Sequence, residues 1–159
     1  MFVYSFKANK KTIIGALLVI IALAVLFIVL PGRAGQTNAL LNVSLKAQTN
    51  QERIEFLSKF GYDVISEPKQ TKDIIIPEQF DDTYNNYNEL QKQQGFNLEA
   101  YKGKYAKSYS YAVTNYPGIE KSENEVRANL IVYNGKIIGG DICSVRLDGF
   151  MHAFNYGKT

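Results

Sequence analysis

One cysteine, one histidine and no tryptophan occur in 159 residues, and these scarcities remove whole classes of chemistry. Cys143 and His152 cannot between them supply the three or four N/S ligands of a zinc site within one chain. A single cysteine also leaves no internal disulfide to staple the fold. The one Cys-His pair available for nucleophilic catalysis is Cys143 with His152, on either side of a turn at Asp148-Gly149. Gly32, Gly35 and the Gly139-Gly140 pair build no phosphate-binding loop, and no Ser-centred elbow or paired-carboxylate motif stands out. Nothing in the chain implies a cofactor or a metal.

Against these absences stands one long uncharged run, Thr12 to Leu30, in which fourteen of nineteen residues are Leu, Ile, Val or Phe. As a helix it would reach roughly 28 Å, close to the roughly 30 Å hydrocarbon core of a bilayer. A core helix of a soluble domain would keep a polar face, and a cleaved signal peptide usually carries a shorter apolar region of about 7 to 15 residues. The expectation is an uncleaved transmembrane helix whose partner is the lipid bilayer. Lys7, Lys10 and Lys11 precede it and only Arg33 follows closely, so residues 1–11 are expected in the cytoplasm and the remainder outside.

Charge then reads differently. Three of the 18 basic residues precede the run and all 15 acidic ones follow it, leaving 15 of each sign beyond the run. The sequence pI near 8.8 belongs to the anchor's flank and is no argument for nucleic acid.

Residues 31–48 open with Pro31-Gly32 and read as a juxtamembrane linker, and residues 49–159 suffice for one extracytoplasmic domain. Thr49 to Glu52 matches a capping box, with Ile54, Phe56, Leu57 and Phe60 at helical spacing and Gly61 as the stop. Tyr62 to Ile65 and Asp73 to Ile76 are brief β-prone runs. Pro77, followed by Phe80, Tyr84, Tyr87 and Leu90 at i, i+4, i+7 and i+10, predicts a second helix ending before Gly95. Lys104 to Asn115, Glu125 to Tyr133 and Lys136 to Leu147 are rich in Val, Ile and Tyr, and Asn134-Gly135 is a strong hairpin signal. The expected fold class is α+β: a three-stranded antiparallel C-terminal meander with two helices packed on one face of the sheet, and one or two short added strands.

Four residues are candidates for a site: Asp141, Cys143, Asp148 and His152. Period-2 alternation places Cys143 on one face with Ile137, Val145 and Leu147, as a small buried hydrophobe. Asp141 falls on that same face, a conflict that a bulge at Gly139-Gly140 would resolve by turning it outward. Tyr101, Tyr105, Tyr109, Tyr111 and Tyr116 interleave with Lys102, Lys104 and Lys107, a pattern that stacks glycans or simply packs Tyr109, Tyr111 and Val113 into the core.

Phe56-Leu57-Ser58-Lys59-Phe60-Gly61-Tyr62, Ile76-Pro77-Glu78-Gln79-Phe80, and the stretch from Tyr87 to Phe96 resemble a membrane-anchored bacterial family. So do Val126 to Leu130, Ile138 to Ser144 and the ending Leu147 to His152. The family is catalogued as domain of unknown function 4830 and occurs mainly in Gram-positive, Clostridia-like bacteria. The resemblance implies an anchor plus a small external domain and carries no catalytic assignment. The functional expectation is a single-pass, non-enzymatic module that binds a ligand or protein partner at the membrane surface. Alternatives are a surface hydrolase using Cys143 with His152, or Asp141 with a tyrosine, and a glycan-binding module using Tyr105, Tyr109 and Tyr111.

Overall fold

The structure is a computed structural model that describes residues 43–156. The expected span Thr12 to Leu30, the tail before it and the linker as far as residue 42 lie outside the described residues. Among the described residues no helix is long and apolar enough to cross a membrane.

Helix α1 spans Asn50–Lys59 and is closed at both ends by local chemistry. The Thr49 hydroxyl accepts from the Glu52 N–H while the Glu52 carboxylate accepts from the Thr49 N–H, the reciprocal capping box. At the other end Gly61 takes φ +73°, and the N–H groups of Gly61 and Tyr62 turn back to Ser58 and Leu57 carbonyls. This left-handed cap favours a residue without a Cβ. Helix α2, Asp82–Gln93, ends the same way at Gly95, with Phe96 N–H on the Gln91 carbonyl. It starts later than Pro77 suggests, because Asp81 is the residue whose side chain accepts from a first-turn N–H, that of Tyr84.

Five antiparallel strands follow one another in space as in sequence: β1 Gln70–Ile75, β2 Tyr105–Ala112, β3 Val126–Tyr133, β4 Lys136–Ser144 and β5 Met151–His152. The expected meander is β2-β3-β4, with β1 and β5 added at its edges. Asn134 and Gly135 both have positive φ, 47° and 72°, the geometry of the tight β3–β4 hairpin. Tyr62 to Ile65 contributes only a single bridge, Val64 to Val113. One-turn helix α3, Ser122–Glu125, closes the β2–β3 loop. The residues before α1 also lie along β4: Ala47 N–H donates to Gly135, and Leu45 accepts from Ile137 N–H.

The two long helices lie on opposite faces of the sheet, not on one. Phe56 and Leu57 of α1, with Phe60 at its C-cap, pack on Tyr111, Val113, Ala128, Leu130 and Ile142. On the reverse face Ile76, Leu98, Ala106, Ile131 and Ile138 form a second cluster, joined by Tyr84 and Tyr87 of α2. Strict alternation of β3 decides this, since its even residues serve one core and Ile131 the other.

Strand β4 breaks that alternation. Ile137 pairs with Val132 but Gly139 pairs with Ile131, so Ile138 is an extra residue opposite the Ile131/Val132 step. The bulge therefore puts Ile137 and Ile142 on the α1 face and carries Gly139, Asp141 and Cys143 to the α2 face. The expected grouping of Cys143 with Ile137 is wrong for that reason, and Val145 and Leu147 lie beyond the strand and are exposed.

Gly140 is required, and Gly139 admits the close approach of Gln91. A Cβ on Gly140, which has φ +156°, would strike the Asn129 carbonyl and Phe154, and one on Gly139 would sit 3.0 Å from Gln91 Oε1. Into the space they leave, α2 sends polar groups. Gln91 Oε1 accepts from Gly140 N–H at 2.8 Å, Gln94 Nε2 donates to the Gly140 carbonyl at 2.7 Å, and Gln94 Oε1 accepts from Phe154 N–H at 2.9 Å. Asn88 likewise accepts from Leu98 N–H. A polar helix thus docks by meeting backbone groups that would otherwise be buried without partners.

Candidate functional site

The four sequence candidates fall in three places. Asp141 is buried on the α2 face at 3% exposure, where the bulge turns it inward. The Tyr87 hydroxyl donates to one of its oxygens at 2.9 Å and Asn129 Nδ2 to the other at 2.8 Å. Burial raises its carboxyl above the ordinary value, and these two hydrogen bonds oppose the rise. Burial first, and Asp141 second, hold the Tyr87 hydroxyl well above its usual range. Cys143 stands beside them, its Sγ 3.2 Å from Asn129 Nδ2. Burial, with Asp141 as second cause, pushes the thiol up to about 11, so at neutral pH it holds its proton and is a poor nucleophile.

His152 pairs with Ile142 and so lies on the α1 face, across the sheet from Cys143. The register thus separates the two, because paired residues share a face and sequence neighbours do not. Asp148 is exposed in the β4–β5 turn, 3.9 Å from Arg146 Nε. Among the described residues no group of three or more His, Cys, Asp or Glu side chains could hold a metal ion.

On the α1 side, His152 belongs to a different assembly, one that has to be built from four chain segments. The Schellman turn after α1 delivers Gly61 and Tyr62. Asn115 fastens this turn to the β2 end: its Oδ1 accepts from Asp63 N–H, and its Nδ2 donates to the Gly61 carbonyl at 3.0 Å. Buried Ser122 shapes the next turn, donating to the Val113 carbonyl and accepting from Tyr116 N–H. Short strand β5 and the tail after it then bring Phe150, His152 and Tyr156.

The rings form layers. Phe150 stacks on Tyr116 with centroids 4.8 Å apart and on His152 at 5.2 Å, with interplanar angles of 18° and 15°. Tyr116 and His152 meet edge to edge through Oη and Nε2, 2.8 Å apart. His152 Nδ1 lies 2.8 Å from the Ala153 carbonyl, which can only accept, so Nδ1 carries the hydrogen. In the neutral ring Nε2 then accepts from the Tyr116 hydroxyl. Tyr156 stacks on His152 at 4.5 Å and 26°.

Tyr116, His152 and Tyr156 line a pocket of about 320 Å³, completed by Gly61, Tyr62, Asn115 and Pro117. Its lining contains no Lys, Arg, Asp or Glu. Burial, then Tyr116, pushes the Tyr62 hydroxyl up to about 12, and burial, then Tyr156, raises that of Tyr116, so these phenols stay protonated. The pocket can offer aromatic surface and neutral hydrogen-bonding groups, and no fixed charge.

Of its residues the sequence singled out His152 as a site candidate and Tyr116 as one ring of the tyrosine–lysine segment. Tyr116-Pro117 reads as a turn, and Tyr62 as a strand residue. A signal was present in the aromatic rings at every second position, Phe150, His152, Phe154 and Tyr156, but the partners lie 34 or more residues upstream. The tyrosine strand is different: Tyr111 is fully buried, Arg53 covers the Tyr109 ring at 3.9 Å, and Tyr105 is the exposed ring at 77%.

A two-layered core around one antiparallel sheet, with an aromatic pocket at its edge, defines a small α+β domain. The model of the family DUF4830, a domain of unknown function, matches residues 56–142, more than half of the chain, and the chain belongs to that family. The match takes in Tyr62, Tyr116, α2 and the Gly139-Gly140-Asp141 core, and ends before Cys143, His152 and Tyr156. No curated protein and no solved structure matches the chain.

Proposed function

We propose that this protein is a membrane-tethered, extracytoplasmic binding module whose ligand enters the pocket between Tyr62, Tyr116 and Tyr156. The observation that carries the reading is the pocket itself: a concave, mainly aromatic recess with a few convergent polar groups, the usual form of a small-ligand site. The apolar run Thr12 to Leu30, with lysines on its leading side, supports the tether and the outward orientation. A hydrolase built on Cys143 and His152 gains no support, since the thiol is protonated and the two side chains occupy opposite faces.

Placing a photo-crosslinking amino acid at position 156 of the full chain in cells tests this. The expected result is a discrete ultraviolet-dependent adduct at 156 that is absent when the same group stands at exposed position 105. Equal labelling at both, or none at 156, would sink the pocket as a binding site.

A further inference from the structure

We infer that the pocket is a saccharide subsite in which one neutral sugar ring lies against Tyr116 beside Tyr156. The inference rests on the binding reading above and gives its ligand a chemical class. Four features of the recess argue for it.

The first is the direction of the ring faces. Tyr116, His152 and Phe150 are within 15° to 32° of one another, and Tyr156 within 26° of His152. A cage for a methylated ammonium needs ring faces converging from several directions onto one point. Near-parallel layers instead leave a slot for a flat group. Tyr156 stacks on His152, and Tyr116 and Tyr156 both line the recess, so a ligand ring against Tyr116 would lie beside Tyr156.

The second is charge. The lining holds no Lys or Arg, and the Nε2 of its one basic residue, His152, is already engaged with Tyr116 Oη, so an anion finds no free cationic partner; with no carboxylate a cation finds only ring faces. A neutral ligand loses nothing by entering. The third is size, because about 320 Å³ lies at the small end of ligand pockets and suits a single ring.

The fourth is the direction of the hydroxyl protons. Since the Ala153 carbonyl fixes the hydrogen on His152 Nδ1, Nε2 takes the Tyr116 proton, and Tyr116 Oη is left to accept from a ligand. A sugar hydroxyl is such a donor, and the apolar C–H face of the ring fits the aromatic stack. A phenyl side chain would fill the slot but leave that acceptor without a use. His152 is therefore a positioning residue for Tyr116.

The test uses the full chain in lipid nanodiscs, free of sugar-based detergent, and saturation-transfer NMR with three probes: triacetylchitotriose, tetramethylammonium and N-acetyltyrosinamide. Saturation transfer to the sugar ring protons is expected. Tyr156→Ala, at an exposed position that does not support the core, should weaken binding by roughly five- to tenfold, what one aromatic contact contributes. Tyr116→Phe, which keeps the ring and removes the acceptor, should also weaken it, and Tyr105→Ala should leave it unchanged. Absence of transfer to the sugar, or transfer indifferent to Tyr156→Ala, overturns the saccharide assignment. If the ammonium or the tyrosine amide shows Tyr156-dependent transfer in its place, the saccharide falls and the binding reading stands. If no probe responds, the saccharide again falls, and the crosslink at position 156 judges the binding reading separately.

Discussion

Asp141 is a carboxylate kept ionisable in a place from which water is largely excluded, and its linkage to stability has a definite sign. Its pKa is raised in the folded state, chiefly by burial, against hydrogen bonds from Asn129, Tyr87 and Cys143. Folding therefore favours the protonated form. The contribution is fully present below the ordinary value of 3.8 and is lost as pH rises through the higher folded value. Asp141→Asn, which has no proton to lose and can still pair with both neighbours by turning its amide, should remove that decline. Urea midpoints of the two proteins between about pH 3.5 and pH 7.5 check it, with the variant gaining relative to wild type as pH rises. Parallel curves would refute the account. Glu52 works in the other direction: the Thr49 N–H lowers its pKa, so its contribution is present above 4.5 and lost as pH falls. Neither sign is readable from the sequence. Glu52 announces its role by spacing from Thr49, but Asp141 depends on a bulge whose position only strand pairing fixes.

At the scale of elements, α1 and α2 illustrate two ways of attaching a helix to a sheet. Helix α1 buries Phe56 and Leu57, and its apolar periodicity made it legible, cap and stop included. Helix α2 buries Asn88 and Gln91 instead, with Gln94 at its cap, and uses them as hydrogen-bonding prongs. Its tyrosines revealed the helix, but an amide side chain in a sequence looks like solvent-facing surface. What makes these amides structural is the pair of glycines opposite, which lets the prongs reach the β4 backbone. Gln94 has the largest role, since it joins Gly140 and Phe154 at once. Gln94→Ala would leave a buried carbonyl and a buried N–H without partners, at about 1 to 3 kcal/mol each, so a loss of about 3 kcal/mol is expected. Denaturant titration measures the loss, and hydrogen exchange should show the Phe154 amide exchanging faster than those of β3. A variant as stable as wild type, with that amide still protected, would contradict this role. Because Phe154 also anchors the tail carrying Tyr156, weakened docking should reach the aromatic pocket as well.

For the whole molecule, the opposing facts are a formally neutral set of residues after position 30 and a strongly apolar run before it. Fourteen large apolar residues at about −0.3 to −0.6 kcal/mol each favour membrane insertion by several kcal/mol, with no charge in the run to oppose it. The full chain is expected to stay with membranes through alkaline carbonate extraction, and deletion of residues 1–30 should release it. A C-terminal tag should be removed by protease added to intact, wall-stripped cells. Release of the full chain by carbonate, or a protected tag, would overturn the tether or its orientation.

Composition, periodicity and spacing determined a good deal about this protein. One histidine and one cysteine excluded a zinc site within the chain, Asn134-Gly135 set the hairpin, Thr49 to Glu52 began α1, and the family strings lay in plain view. These are local properties, settled by steric and hydrogen-bonding preferences within a few residues. The tertiary structure alone decided that the two helices take opposite faces, that a single bulged residue carries Asp141 to the α2 face, that the β4–β5 register parts Cys143 from His152, and that Tyr62, Tyr116 and Tyr156 line one recess. Each of these depends on register and on contacts between distant segments, where one residue of shift exchanges the two faces of a strand.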